Sequence, residues 1–411
     1  MLKAIKTVSY RVADLEKAKH WYRQFFDRDP VFDSPFAVVF AAGDASLALV
    51  PASPQLPERE RVVAYWDVDD IDAVYRRLLD SGATPLSEIR SALKSRNATV
   101  VDPFGNVLGV TSASTEARKT TLEVQPSDSA RVVAFCRALA TTDEPEEIRG
   151  PDYLAEIFLP EDARMALKDR TSREFIRHKL MTPGSYEYFI PRTLWFDSMV
   201  RTALQQGIPQ IVFLGAGYDS RAYRFHDLIR DTRIFELDIE STQQRKKTLL
   251  AKANVPIPEQ LTFVPIDFTR DKLEDKLRGA GFDGTRKTLF IWEGVTYYLP
   301  ASAIDGTLEF IRSHSAAGSL VCFDYMIEAP DMSERYGVKE ALAAMRAVYV
   351  SEPVQFRIEE GAIESFLVKR GFSLMEHLSP GELEERYLTL KDGSRAARVM
   401  ACFALVSASV T

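Results

Sequence analysis

Residues 211–225 read IVFLGAGYDSRAYRF, an apolar run that breaks into Gly-Ala-Gly and continues as a charged, aromatic segment. The run is typical of a buried strand. Two glycines one residue apart at its end indicate either a tight turn or a ligand lying close against the backbone, of which a nucleotide is the obvious example. The neighbouring strands decide between these interpretations.

Further apolar runs follow, separated by segments of helical length: RIFELD, TFVPID, TLFIWEG and SLVCFDYM, with FSLMEHLS and RVMACFALVSA near the end of the sequence. Buried strands that alternate with helices predict a parallel sheet covered on both faces. Ahead of these runs, PRTLWFDSMVRTALQQG predicts an amphipathic helix that ends at Gly207. We therefore expect a doubly wound α/β domain over residues 122–411.

The first 113 residues predict a separate α+β domain made of two β-α-β-β-β modules. Each module starts with a strand-like run, IKTVSYRV or RVVAYWDV, followed by a helix that Asp14 in one case, and Asp69 or Asp70 in the other, can cap. Helical spacing predicts that the first helix buries Leu15, Ala18, Trp21, Tyr22 and Phe25 and that the second buries Ile71, Val74, Tyr75 and Leu78. A polar linker, TSASTEARKTT, follows this duplicated domain.

Composition and charge exclude several classes of protein. A net charge of −7 disfavours a nucleic-acid partner, whose binding would depend on Lys and Arg contacts to phosphate. The three cysteines, Cys136, Cys322 and Cys402, lie far apart and form no CxxC pair, which argues against a disulfide framework or a structural zinc site. The sequence has no signal-peptide pattern and no apolar run long enough to span a membrane. We expect a cytoplasmic protein.

Polar residues and glycines stand at the ends of the four successive strands, where ligands bind in doubly wound sheets. In chain order they are Gly215 and Gly217, Asp238, Asp267 with Phe268, and Glu293. Each feature alone has an ordinary alternative, a turn for the glycines and a helix cap for either aspartate. Together they describe a pocket for adenosine, in which acids accept hydrogen bonds from the ribose and the adenine amino group.

The details of the turn favour S-adenosylmethionine over a dinucleotide. A dinucleotide fold requires a third glycine, and Ser220 stands at that position, followed by Arg221. S-adenosylmethionine has no phosphate but carries an amino-acid tail. Glu293 can bind the ammonium group of that tail, and the guanidinium of Arg192 can bind its carboxylate.

The motifs PRTLWFDSMV, IVFLGAGYDSRAYRF, IFELDIESTQQRK, VPIDF and LFIWEGVTYYLP resemble the leucine carboxyl methyltransferase family over nearly all of the second domain. This resemblance implies a Rossmann-like class I methyltransferase that uses S-adenosylmethionine to methylate an oxygen of a small molecule, such as a polyketide-like metabolite. The implied cofactor contacts are Arg192 and Gly215 for the amino-acid tail, Asp238 for ribose, Asp267 and Phe268 for adenine, and Glu293 for the ammonium. A contact from Arg137 in the loosely similar first helix is a weaker implication.

The methyl acceptor is less well indicated than the cofactor. Tyr298 is near enough in sequence to Glu293 to orient an acceptor, whereas for Tyr297 packing in the core is at least as good an interpretation. The family places a substrate-covering insert after the fifth strand, which corresponds to residues 330–354. That position makes Arg346 or Arg357 a candidate anchor for an acceptor carboxylate.

The first domain resembles the glyoxalase/bleomycin-resistance (vicinal oxygen chelate) superfamily through RVADLEKAKHWYRQFF, DVDDIDAVYRRLLDSGA and DPFGNVLGV. Members hold a metal with His and Glu, but the aligned positions here are Thr7, Val63 and Gly109, so we expect no metal. The domain could bind a small molecule in a cupped sheet, mediate a homodimer or present substrate. The candidate cup residues, for which core packing is the alternative, are Trp21, Tyr65, Trp66 and Phe104.

Two other functions compete with the methyltransferase. One is a ligand-binding or resistance protein that uses the first domain and carries a non-catalytic methyltransferase fold. The other is an NAD-dependent dehydrogenase, which Ser220 disfavours. The complete set of strand-end residues argues against decay of the cofactor pocket.

Overall fold

The computed structural model describes residues 2–12, 14–26, 28–34, 37–42, 45–51, 62–92, 95–101, 107–113, 128–142, 146–268, 270–348 and 354–411. The chain divides into two compact units, Met1–Arg118 and Lys119–Thr411. The linker TSASTEARKTT (except its first three residues) and Phe104 lie outside the described residues. No helix in the described part of the chain is both long and apolar enough to cross a membrane.

The first unit contains two β-α-β-β-β modules. Their elements are β1 (Leu2–Val12), α1 (Leu15–Phe26), β2 (Phe32–Asp33), β3 (Val38–Ala42) and β4 (Ala45–Pro51), then β5 (Val62–Val68), α2 (Ile71–Asp80), β6 (Thr84–Ala92), β7 (Ser95–Val101) and β8 (Val107–Ala113). The strands form one sheet in the order β2-β3-β4-β1-β5-β8-β7-β6. The modules therefore join edge to edge through the antiparallel pair β1–β5 and do not stack face to face.

Each helix of the first unit packs its apolar stripe on the sheet of its own module. Val38, Phe40 and Leu49 form a small core with the side chains of α1, and Val68, Ala98 and Val110 form another with those of α2. Asp14 accepts a hydrogen bond from the backbone N–H of Lys17, and Asp70, not Asp69, caps α2 through Ala73. The predicted helix caps are present, as are the predicted apolar stripes apart from Trp21; the side chain of Phe25 lies outside the described residues.

The predicted cup residues do not share one face. Trp21 is 55% exposed on α1, so its predicted burial is wrong. Tyr65 and Trp66 are consecutive residues of β5 and point to opposite faces, because side chains alternate along a strand. Tyr65 pairs in register with Thr7 and Gly109, and its ring covers Gly109. The helix-free face therefore carries Tyr65 but not Trp66.

The helices of the second unit are α3 (Asp128–Ala140), α4 (Glu161–Lys168), α5 (Arg170–Phe175), α6 (Ser185–Gln205), α7 (Arg221–Arg224), α8 (Glu240–Lys252), α9 (Leu273–Gly279), α10 (Ala301–Ser313), α11 (Val338–Val348), α12 (Ile363–Val368) and α13 (Pro380–Tyr387). Its strands are β9 (Gln210–Leu214), β10 (Arg233–Asp238), β11 (Leu261–Pro265), β12 (Thr288–Trp292), β13 (Leu320–Glu328), β14 (Ile358–Glu359), β15 (Phe372–Leu378) and β16 (Phe403–Val410). A π-helical turn, Ile176–Leu180, precedes α6.

The main sheet of the second unit has the order β11-β10-β9-β12-β13-β16-β15. Strands β9 to β13 run parallel, and β15 and β16 are antiparallel to their neighbours. The chain order reverses between β9 and β12, which is the switch point where such sheets bind ligands. The predicted α/β fold class is confirmed. The predicted site residues Gly215, Asp238 and Glu293 lie at the carboxyl ends of the strands on either side of this point.

Candidate functional site

The backbone conformation of the turn after β9 by itself favours glycine at residues 215 and 217. Gly215 has a φ of +74° and Gly217 a φ of +48°, conformations that side chains rarely allow. A Cβ at Gly215 would lie 2.5 Å from Cγ2 of Val295, and one at Gly217 would lie 3.3 Å from Cβ of Ala130. The turn is therefore packed between α3 and the segment after β12, which accounts for both glycines before any ligand is considered.

Asp238 links this turn to the neighbouring strand. Its Oδ2 accepts a hydrogen bond of 2.6 Å from the backbone N–H of Gly217, and its Oδ1 accepts one of 2.7 Å from Ile239. The carboxylate therefore holds the glycine turn against the end of β10. The structure brings Gly217 and Asp238 together, as the sequence predicts for one edge of the sheet.

Asp267 and Phe268 follow at the end of β11. The N–H of Ile266 donates to the carbonyl of Asp238, so the two strand ends are in register. The N–H of Asp267 donates to Asp271, and Nε of Arg270 lies 3.5 Å from the Asp267 carboxylate. Phe268 is half-buried. Both predicted adenine residues thus lie at the same edge as Asp238.

Glu293 and Arg192 form a buried ion pair at the switch point. Nε of Arg192 lies 3.0 Å from Oε1 of Glu293, and the two side chains are 2% and 9% exposed. Nη1 of Arg192 also lies 3.2 Å from Oδ2 of Asp324. Burial acts to lower the pKa of Arg192, but the two carboxylates outweigh it and raise the pKa above its ordinary value.

Arg221 is the most heavily paired side chain near Glu293. Its Nη1 donates to Asp219 at 2.5 Å and to Glu293 at 2.7 Å, while its Nε donates to Asp197 at 2.7 Å. Burial would raise the pKa of Asp219, but Arg221 holds that pKa below its ordinary value. Arg221 therefore holds Oε2 of Glu293, while Arg192 lies next to Oε1.

The ion pairs continue away from the strand ends. Arg224 binds Asp197 through two nitrogens, at 2.6 and 2.7 Å. Its Nε lies 3.3 Å from Asp152, which accepts a hydrogen bond from Ser220. Arg137 donates to the carbonyl of Tyr218 at 2.6 Å, and its Nε lies 3.3 Å from Asp152. Arg137, for which the family resemblance implied a weaker cofactor contact, thus contacts the residue that follows Gly217.

We call these residues the buried charge network. Within the described residues it joins four arginines, Arg137, Arg192, Arg221 and Arg224, to five carboxylates, Asp152, Asp197, Asp219, Glu293 and Asp324. Removing so many charges from water is costly, and such groups concentrate at functional sites. The arrangement can bind a ligand that carries both a positive and a negative group.

The two tyrosines after Glu293 differ in environment. Tyr297 is 5% exposed and its ring lies 5.0 Å from that of Phe403, so it packs in the core. Tyr298 is half-buried, with its ring 4.6 Å from that of Tyr297. The backbone carbonyls of both tyrosines accept hydrogen bonds from Gln355.

The segment after β13 docks at two places. The carbonyl of Tyr336 accepts a hydrogen bond from Ala401, and a Cβ at Gly337 would meet the carbonyl of Pro183 just before α6. At its other end Gln355 contacts the Tyr297–Tyr298 turn. Arg357 pairs with Glu328 at 3.1 Å on the surface, and the side chain of Arg346 lies outside the described residues. Gly337 in the segment therefore lies beside the start of α6, and Gln355, just after the segment, lies against the turn that carries Tyr298.

Sequence reasoning missed Asp324, Asp197 and Asp152, and it noted Arg221 only as a residue that follows Ser220. Asp324 lies in the middle of β13, between apolar residues on both sides, so the strand-end rule that selected Glu293 does not select it; a carboxylate inside a buried strand was the only local signal. Asp197 and Asp152 carry no such signal, because one lies within a helix and the other in a loop. Their roles follow only from contacts with residues distant in sequence.

The strand order, with its switch point between β9 and β12, defines the second unit as a Rossmann-like domain of the class I methyltransferase type. Residues 130–312 match the family described as leucine carboxyl methyltransferase, and residues 4–110 match the glyoxalase/bleomycin resistance protein/dioxygenase superfamily. A putative S-adenosyl-L-methionine-dependent methyltransferase of Bacillus subtilis, YktD, is 31% identical over 51% of this chain and 68% of its own length. A Frankia alni protein with the same description, FRAAL3718, is 31% identical over 54% of this chain and 75% of its own.

The chain belongs to the leucine carboxyl methyltransferase family. The predicted class, a methyltransferase that uses S-adenosylmethionine, is confirmed, as is the glyoxalase-type character of the first unit. Among solved structures, a DUF574 family protein of Streptomyces avermitilis is 14% identical, with a TM-score of 0.45, and the alignment covers 70% of this chain and 98% of that one.

Proposed function

We propose that the protein transfers the methyl group of S-adenosylmethionine to an oxygen, either a carboxylate or a hydroxyl, of a small molecule such as a polyketide-like metabolite. The observation that carries this proposal is the ion pair between Arg192 and Glu293 beside the glycine turn. A methionine tail bears a carboxylate and an ammonium group, so it can exchange this internal pair for two pairs with itself. Charge-assisted hydrogen bonds of that kind are the strong ones.

The proposed contacts assign one part of the cofactor to each strand end. Arg192 binds the tail carboxylate, Glu293 the ammonium, Asp238 the ribose hydroxyls and Asp267 the adenine amino group, with Phe268 against the adenine face and Gly215 and Gly217 beneath the tail. The hydrogen bond between Gly217 and Asp238 supports this order, because it holds the carboxylate proposed for the ribose against the turn proposed for the tail.

The cofactor supplies an electrophilic methyl group on its sulfonium, so the protein mainly has to align the acceptor. Orienting two reactants can account for a large part of a rate enhancement. A carboxylate acceptor is already ionised at neutral pH, whereas a hydroxyl would need a base. We assign the orienting role to Tyr298, which is half-buried at the edge next to Glu293.

We also propose that the segment after β13 covers the acceptor. The contact of Gly337 with Pro183 and the hydrogen bond from Gln355 to Tyr297 support this role, since the described residues at the two ends lie near α6 and near Tyr298. A cover excludes water from the methyl group and limits the size of the acceptor.

For the first unit we propose a metal-free binding or pairing role. Thr7 forms a hydrogen bond with Ser46, and the Tyr65 ring occupies the space above Gly109, so two of the three aligned metal positions are engaged in packing. The nine-residue strand β6 lies at the sheet edge, where a second copy could pair and form a homodimer. Metal analysis and sedimentation velocity of the full chain test these two statements.

We also propose that the protein is cytoplasmic. Cys136, Cys322 and Cys402 are buried free thiols, a state that a reducing compartment preserves.

The test is methyl transfer from labelled S-adenosylmethionine to a panel of aromatic acids, phenols and cell-extract metabolites. The product is then treated with mild alkali, which releases the label from a methyl ester but not from an ether. We expect labelled product that disappears with Glu293→Gln. No transfer to any acceptor, together with no affinity for S-adenosylhomocysteine, would contradict the proposal and favour the binding-protein alternative.

A further inference from the structure

Asp324 is a completely buried carboxylate that the proposed contacts do not use. It lies in β13, next to the strand that ends before Glu293. The register pairs Trp292 with Phe323, so Asp324 and Glu293 stand at the same level on neighbouring parallel strands. A carboxylate that is removed from solvent must be stabilised by hydrogen bonds or opposite charges, because its burial alone is unfavourable.

The two carboxylate oxygens of Asp324 have different partners. Oδ1 accepts a hydrogen bond of 2.6 Å from the backbone N–H of Gly294. Oδ2 accepts one of 3.2 Å from Nη1 of Arg192 and one of 3.1 Å from the hydroxyl of Tyr188. One side chain therefore connects helix α6 to the turn that follows β12.

The same turn is tied to Asp324 a second time. The hydroxyl of Thr296 donates to the backbone carbonyl of Asp324 at 2.5 Å. Gly294 has a φ of +74°, and a Cβ there would lie 3.4 Å from Nη1 of Arg192. The guanidinium thus packs directly over the peptide next to Glu293.

We propose that Asp324 is a positioning residue that sets the separation and orientation of Arg192 and Glu293, so that the pair can receive the two charged groups of the methionine tail. This inference rests on the proposed function, in which those two side chains bind the tail. Oδ2 directs the guanidinium and Oδ1 directs the Gly294 peptide. A single buried carboxylate thereby positions both tail-binding groups, although they come from distant parts of the chain.

An amide cannot replace this carboxylate. Asparagine has one acceptor oxygen, and its NH2 group would face a donor, either the Gly294 N–H or the guanidinium and hydroxyl. Asp324→Asn therefore keeps the size of the side chain but releases one side of the bridge. We expect binding of S-adenosylhomocysteine to weaken about tenfold, the effect of losing one hydrogen bond to a charged group.

The test compares two ligands that share the nucleoside but differ in the tail. S-adenosylhomocysteine carries the amino-acid tail, and 5′-methylthioadenosine lacks it. Isothermal titration of wild type and Asp324→Asn should give an affinity for the first ligand that falls about tenfold and an affinity for the second that is unchanged within about twofold. A general loosening of the pocket would weaken both ligands.

Tyr188→Phe provides a milder variant if Asp324→Asn does not fold. It removes one of the bonds to Asp324 and keeps the buried ring, so we expect S-adenosylhomocysteine to bind about threefold more weakly. Tyr186→Phe is the matched control, since Tyr186 is equally buried on the same helix and its hydroxyl has no hydrogen-bond partner within the described residues. This control should bind both ligands as wild type does.

Two results would overturn the inference while leaving the proposed function intact. One is wild-type affinity for S-adenosylhomocysteine in both Asp324→Asn and Tyr188→Phe. The other is an equal loss of affinity for the two ligands. If wild type itself does not bind S-adenosylhomocysteine, the proposed function fails, and this inference fails with it.

Discussion

The two units bury different kinds of polar residue. Within the described residues of Met1–Arg118, the buried polar side chains are hydroxyls only: Ser34, Thr99, Thr111 and Ser112. In Lys119–Thr411 the buried set includes the charge network and a second ion pair, between Glu236 and Lys246, whose side chains are each 1% exposed. Both units contain a large sheet, so the difference does not follow from sheet size.

A buried hydroxyl costs little once it is hydrogen-bonded, whereas a buried charge must be paired and still loses its hydration. A sheet that is stabilised by apolar packing alone does not incur this cost of desolvating charges. Among its described residues, the second unit has nine ionisable side chains in one network that begins at the switch point of its sheet. Among the described residues, the ion pairs with both partners buried therefore lie in the unit with the methyltransferase fold, whereas those of the first unit are at least partly exposed.

The largest effect is expected when the network loses its central cation. Arg221→Ala leaves Asp197, Asp219 and Glu293 without their shared partner, and we expect the free energy of unfolding to fall by about 3–5 kcal/mol. The matched change in the first unit is Arg96→Ala. Arg96 binds Asp72 through two nitrogens but is 25% exposed with a half-exposed partner, so we expect at most about 1 kcal/mol.

Urea unfolding followed by circular dichroism measures both changes, and thiol labelling assigns them to a unit. All three cysteines lie in the second unit, and burial raises the pKa of Cys136 and Cys402 to about 12, so they should react only after that unit opens. Equal losses of stability in the two variants would remove the contrast between the units.

An intermediate effect is expected for cofactor affinity. Asp238→Ala and Glu293→Ala should each weaken binding of S-adenosylhomocysteine by about 1–3 kcal/mol, because each leaves polar groups of the ligand unpaired. Asp227→Ala is the control, since that side chain is 85% exposed next to His226. Unchanged affinity in both site variants, measured by calorimetry, would place the pocket elsewhere.

An effect of similar size, but on stability, is expected from adding one methyl group to a glycine in each unit. A Cβ at Gly109 would lie 2.5 Å from the Tyr65 ring, and one at Gly215 would lie 2.5 Å from Val295. Both Gly109→Ala and Gly215→Ala should lower the free energy of unfolding by about 1–3 kcal/mol. Gly215→Ala should also weaken S-adenosylhomocysteine binding, whereas Gly109→Ala should not. An affinity change with Gly109→Ala would contradict the proposal that the cofactor contacts come from the second unit.

Local patterns were sufficient to predict most of the fold. Apolar runs alternating with helical segments predicted the parallel sheet of the second unit, and two repeats of strand, helix and short strands predicted the modules of the first. The error at Trp21 arose because helical spacing does not distinguish the edge of an apolar stripe from its centre. The grouping of Tyr65 with Trp66 ignored the alternation of side chains along a strand, which the sequence itself contained.

The site was only partly predictable. Gly215, Asp238, Asp267 and Glu293 could be selected because parallel strands bring their carboxyl ends to one edge. Their cofactor roles are still proposals. Asp324 contacts Arg192 across 132 residues of sequence, and Asp197 reaches Arg221 from the middle of a helix. No local periodicity specifies such pairs.

The sequence by itself determined which segments form strands, where the glycine turn lies and which family the chain resembles, because these properties depend on residues that are neighbours along the chain. Tertiary structure decided which charges share a partner, which face of the first sheet carries Tyr65, and that one carboxylate of β13 bridges α6 to the turn after β12. Ion pairs act through space and are strengthened by burial, and both separation and burial exist only once the chain has folded.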